Sequence, residues 1–160
     1  KDVSYVKLIS KMLSDGLNSP LVKEIREEKG LVYFMHSQVD KIGNKWIYRI
    51  STMTSSSNLE TLHESLNSIL SKPKEYLDQK RLDIIKKSVK IQNKMTSINR
   101  FANIKDILDE SVNPFIELCE NVKIEDINDV YTKYFNIEKF EKITDESLFT
   151  LEHPEVLKQV

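Results

Sequence analysis

Arg26 and Tyr33 are the two side chains whose types and spacing suggest chemistry. The run Lys23-Glu24-Ile25-Arg26-Glu27-Glu28-Lys29-Gly30 reads as a short helix stopped by a glycine, and Leu31-Val32-Tyr33 then opens a strand. A reversal at Gly30 would bring a guanidinium and a phenol to neighbouring positions at one end of a sheet. Arginine offers a planar fork of donors and tyrosine adds one more. Together they suit a peptide carbonyl, or the oxyanion formed when water attacks it. The plainer reading stays open from the residues alone. An arginine in so charged a run ordinarily lies on a solvated helix face, with ion pairs worth about 0–1 kcal/mol. A strand tyrosine ordinarily packs against its cross-strand neighbours. Scarcity makes the arginine worth pursuing: among 24 basic residues only Arg26, Arg49, Arg81 and Arg100 carry the guanidinium fork.

The elements that must hold this pair can be traced on both sides of it. Between Val3 and Leu17, Tyr5, Val6, Leu8, Ile9, Met12 and Leu13 recur at helical spacing, and Gly16 closes the helix. Ser19 is placed as an N-cap, with Pro20 at the first helical position. After Gly30, residues 31–39 and 45–53 are rich in branched and aromatic side chains around a loop at 40–44, which predicts a β-hairpin. Asn58 is a candidate cap for a helix whose stripe is Leu59, Leu62, Leu66, Ile69 and Leu70, stopped by Lys72-Pro73. A longer helix is expected from near Glu75 through Leu82, Ile85 and Val89 towards Met95, with further helical pieces over 98–112, 114–122 and about 124–134. A short closing strand is expected at 147–151. These elements imply an α+β fold class: an antiparallel sheet with a central hairpin (about 31–39 and 45–53), covered on one face by several helices.

Composition removes several functions. The 160 residues suit one domain, and the net charge of -1 offers no general attraction to nucleic acid. No apolar run approaches the roughly 20 residues of a membrane span, so no membrane partner is expected. Three glycines leave no phosphate-binding loop. A single cysteine, Cys119, allows no internal disulfide, which leans towards a reducing compartment; nothing else speaks to localisation. Cys119 reads as a small helix hydrophobe. The three histidines, His36, His63 and His153, have no ligand spacing between them, and none sits in H-x-x-E-H. No metal site is therefore expected in this chain. The lysines from Lys86 to Lys94 read as a solvated helix face.

The block Ser19-Pro20-Leu21, followed by Arg26-Glu27 and Gly30-Leu31-Val32-Tyr33, resembles the run S-x-L-x-x-x-x-R-E-x-x-G-L-x-Y. That run marks the C-terminal, non-zinc domain of insulinase/pitrilysin-type zinc metallopeptidases, a group that includes mitochondrial processing peptidase. Asn58-Leu59-Glu60-Thr61-Leu62, Val122 to Ile127, and Tyr134-Phe135 fit the same pattern. Two departures stand out: the glycine-rich loop is reduced to Ser14-Asp15-Gly16-Leu17-Asn18, and the strand before the first helix is missing. The resemblance implies that residues 1–160 form one domain from a longer hydrolase, in keeping with a start at Lys1 without methionine. It further implies that Arg26 and Tyr33 bind an extended peptide held at a zinc on a partner, either an N-terminal domain or a separate subunit. The peptide would dock partly by adding a strand to a sheet edge. On this reading no catalytic residue and no cofactor reside in this chain, zinc belongs to the partner domain, and the chain alone is inactive. A dimer is a further assembly it allows. The other reading is a non-catalytic structural or regulatory domain with the same fold.

Overall fold

The computed structural model describes residues 2–98, 114–135, 140–145 and 155–159. Helix α1 (Asp2–Ser14) buries Leu8, Ile9, Met12 and Leu13, the face its apolar spacing marks out. It ends at Gly16, whose φ of +86° lies in the left-handed region that glycine tolerates. Ser19 does not cap the next helix. Its hydroxyl donates back to the Gly16 carbonyl at 2.7 Å, closing the turn, and Pro20 takes the cap position without a side-chain bond.

The next segment, Leu21–Glu28, is wound as a π-helix rather than an α-helix, and the Lys29 amide donates to the Glu24 carbonyl five residues back (3.2 Å). Leu21, Val22 and Ile25 face the core, while the charged residues between them point outward. The Leu31 amide then reaches the Ile25 carbonyl at 3.0 Å across Gly30, where φ is +61°.

The hairpin forms, with its first strand three residues later than expected: β1 is Phe34–Ile42 and β2 is Lys45–Thr54. Leu31 is held outside the ladder because its amide finishes the π-helix and its carbonyl takes a side-chain hydroxyl. The turn is tighter than expected. Ile42 pairs with Lys45 across Gly43-Asn44, and Gly43 has φ +57°. Strands β3 (Lys142–Asp145) and β4 (Glu155–Gln159) complete a four-stranded antiparallel sheet in the order β1-β2-β4-β3. The closing strand expected at 147–151 lies outside the described residues.

After the hairpin a short 3-10 turn at Ser56–Asn58 leads into five described α-helices. They are α2 (Leu59–Leu70), the single turn α3 (Pro73–Tyr76), α4 (Gln79–Ile98), α5 (Pro114–Asn121) and α6 (Ile124–Tyr134). The helix expected to run on from Glu75 breaks at Leu77, which is buried. Asp78 restarts it by accepting the Arg81 amide at 2.6 Å. Asn58 stands at the N-cap of α2 without a capping bond, its amide nitrogen turned 3.5 Å towards the Leu31 carbonyl. The helix expected over 98–112 falls almost wholly outside the described residues.

As the sequence indicates, helices cover one face of the hairpin. Met35, Ser37, Ile50, Thr52 and Thr54 are buried on that side, while Phe34 and His36 are exposed on the other. The core joins Leu8, Ile9, Met12 and Leu13 to Ile50, Leu62, Leu66, Ile69, Leu82 and Ile85. Each such side chain contributes about 1.5–3 kcal/mol by leaving water. Below it, Tyr131 stacks on Phe135 with centroids 4.5 Å apart, and its hydroxyl donates to the Leu70 carbonyl at 2.6 Å. No described helix is long and apolar enough to cross a membrane.

Candidate functional site

The three described arginines differ in what surrounds them. Arg81, at the start of α4, donates from Nε to the Met12 carbonyl at 2.9 Å and from Nη2 to the Asp15 carbonyl, which closes the open end of α1. Arg49 on β2 donates from Nη2 to Asp40 Oδ2 at 2.7 Å. Asp40 also accepts from Gln38 Nε2, and Gln38 Oε1 lies 3.2 Å from His36 Nε2, giving a polar ladder along the uncovered face of the sheet. Arg26 is different. It occupies the last turn of the π-helix, its side chain is 44% exposed, and its charged partner is Glu27 at 3.7 Å. Among the described residues its guanidinium makes no hydrogen bond. Arg100 lies outside them.

Tyr33 stands just before β1 and is 66% exposed. Its backbone amide donates to the Met53 carbonyl at 2.9 Å, and among the described residues its hydroxyl has no hydrogen-bond partner. The pair therefore flanks the Gly30 reversal at one end of the hairpin, with both polar tips exposed and no hydrogen bond between them. The packing role open to a strand tyrosine is not the one Tyr33 plays. The outer side of the π-helix mixes Glu24, Glu27 and Glu28 with Lys23 and Arg26, and Lys23 pairs with Glu28 at 3.6 Å. Burial, together with the nearby carboxylates of Glu24, Glu75 and Glu28, pushes the phenol of Tyr76 above its ordinary range.

The segment from Leu31 to Phe34 is fixed from β2. Thr54 Oγ1 donates to the Leu31 carbonyl at 2.5 Å, and Thr52 Oγ1 donates to the Phe34 carbonyl at 2.6 Å. Both threonines are buried. Sequence reasoning passed over them. The available signal was parity: Ile50, Thr52 and Thr54 alternate onto the core-facing side, where a hydroxyl needs a partner.

The remaining candidates carry less chemistry. His36 is exposed on β1, His63 is half-buried on α2, and His153 lies outside the described residues. Among the described residues no group of three or more His, Cys, Asp or Glu side chains can hold a metal ion. Cys119 is buried in α5, where loss of solvent pushes its thiol up to about 11, so little reactive thiolate forms near neutral pH.

Comparison with known proteins gives a consistent picture. The family described as "Peptidase M16 inactive domain" matches residues 1–89. Three solved structures share the fold. The peptidase M16 inactive domain from Pseudomonas fluorescens aligns with a TM-score of 0.62 at 21% identity, over 86% of this chain and 35% of that one. A conserved protein from Enterococcus faecalis V583 gives 0.68 at 17% identity, over 83% and 33%. A protease from Helicobacter pylori gives 0.68 at 21% identity, over 85% and 35%. The chain thus spans about a third of the length of each solved chain. No curated protein matches it.

Proposed function

The chain belongs to the family of peptidase M16 inactive domains, and from that membership we propose that it closes a peptide into the active site of a zinc peptidase without supplying the metal. In this reading a zinc-bearing domain or subunit sits opposite it, an extended peptide lies between the two, and Arg26 and Tyr33 reach that peptide. The guanidinium takes a carbonyl or the developing oxyanion, and the phenol adds one more donor.

The observation that carries the reading is the contrast among the arginines. Arg49 and Arg81 are both engaged by neighbours, whereas Arg26 is held only loosely by an exposed carboxylate. Tyr33, on the far side of the Gly30 turn, is two-thirds exposed. Two donors kept free on either side of a stiff turn are what a ligand contact requires, because little rearrangement is needed when the ligand arrives.

The test is substitution within the assembled peptidase that contains this chain, using a fluorogenic extended peptide. Arg26→Ala is expected to lower kcat/KM about 10–100-fold, and Tyr33→Phe about 5–10-fold, with unchanged thermal unfolding. Wild-type rates in both variants, with the assembly intact, would leave the chain as a structural or regulatory domain of the same fold.

A further inference from the structure

Between the π-helix and β1 the chain runs through Leu31, Val32 and Tyr33 outside the regular ladder, yet this stretch is tied down at four atoms. The Leu31 amide donates to Ile25 (3.0 Å), the Leu31 carbonyl accepts from Thr54 (2.5 Å), the Tyr33 amide donates to Met53 (2.9 Å), and the Phe34 carbonyl accepts from Thr52 (2.6 Å). Three consecutive residues of β2 thus hold the backbone on both sides of one exposed tyrosine. The first bond of the set lands on the residue beside Arg26.

The two threonines are a specific chemical choice. Both are buried on the core side of β2, where valine has the same shape and no desolvation penalty. Each hydroxyl is satisfied by one carbonyl, that of Phe34 for Thr52 and that of Leu31 for Thr54. The two hydroxyls are therefore directed at one short segment.

We infer that Thr52 and Thr54 are positioning residues: they set the backbone from which Tyr33 projects, and so fix the phenol relative to the guanidinium of Arg26. The inference rests on the proposed function, in which Tyr33 meets the peptide. Neither threonine touches the peptide itself. Their effect passes through Tyr33, and this gives the inference its distinctive signature.

The experiment is a double-mutant cycle in the assembled peptidase, read as kcat/KM on a fluorogenic extended peptide. Thr54→Val and Thr54→Ser are each made with Tyr33 intact and with Tyr33→Phe. Thr54→Val is expected to lower kcat/KM about fivefold when Tyr33 is intact. Its effect should fall below about twofold when Tyr33 is already Phe, since the donor to be positioned is gone. Thr54→Ser, which keeps the hydroxyl, should restore most of the rate. Thr52→Val carries the same cycle if the Thr54→Val chain does not accumulate. Equal losses in the two backgrounds, or no loss at all beside an impaired Tyr33→Phe, would overturn the positioning role and leave the functional reading standing. A normal rate for Tyr33→Phe would overturn the positioning role together with the part of Tyr33 in the functional reading, which Arg26→Ala then decides alone.

Discussion

The corners around Arg81 and Arg26 solve opposite problems. At each, a helix runs out and an arginine stands nearby. At the end of α1 the guanidinium of Arg81 turns inward and gives its hydrogens to the carbonyls of Met12 and Asp15. At the end of the π-helix the backbone closes on itself, through Lys29 to Glu24 and Leu31 to Ile25, so no side chain is needed there. Arg26 is left over. The fold consumes one arginine and releases the other, and the difference lies in whether the backbone can satisfy its own carbonyls at that helix end.

The contrast predicts a graded series. Arg81→Ala should have the largest effect, about 2–3 kcal/mol, because charge-assisted hydrogen bonds are lost and part-buried carbonyls stay unpaired. Thermal unfolding of the chain should show this as a fall in Tm of about 5–10 °C. Gly30→Ala should cost about 1 kcal/mol, since the left-handed backbone at φ +61° disfavours a Cβ while no atom within 4 Å obstructs one. Arg26→Ala should change stability by under about 0.5 kcal/mol, as for other surface positions. If Arg26→Ala instead matched Arg81→Ala, the two corners would be alike and the case for a free ligand-binding fork would collapse.

A smaller, pH-dependent effect belongs to the other end of α1. Hydrogen bonds from Lys133 and Tyr134 to the Asp2 carboxylate (2.7 and 2.6 Å) hold its pKa below the ordinary value of 3.8. A carboxylate with a lowered folded-state pKa binds protons more readily in the unfolded chain. Its contribution is therefore complete at neutral pH and is lost as pH falls through the folded-state value, beneath 3.8. Asp2→Asn should lower Tm only slightly at pH 7, because the site is exposed, and flatten the decline of Tm in acid, measured by melting curves from about pH 7 down to about 2.5. A steeper acid decline in the variant would show that other carboxylates hold α1 in place.

The gross architecture was legible because it rests on periodicity and glycine. The stripe Leu62, Leu66, Ile69 and Leu70 is buried as its spacing demands, and Gly16 and Gly30 adopt the positive φ that helix stops require. What sequence reasoning missed depends on partners distant in the chain or on competition close by. Ser19 has a neighbour that competes for its hydroxyl, the Gly16 carbonyl, and so it closes a turn instead of capping a helix. The start of β1 moved because Leu31 was claimed by Ile25 and Thr54, the second of them 23 positions away. Winding Leu21–Glu28 as a π-helix leaves no mark in composition. For the candidate site, the residue types at Arg26 and Tyr33 were visible, whereas their exposure and the threonines behind them emerge only when β2 is laid beside the segment.

Strand β1 forms one margin of the described sheet, and a bare margin invites another chain to pair with it. Here Ser14 of α1 accepts the Ser37 amide at 3.1 Å, while its neighbour Ser10 is bonded to the Ser37 hydroxyl at 2.8 Å. A second molecule approaching β1 meets an interrupted row of donors, followed by the charged side chains of Asp40 and Lys41. The margin is thereby blunted against indiscriminate zipping between copies, a form of protection against aggregation.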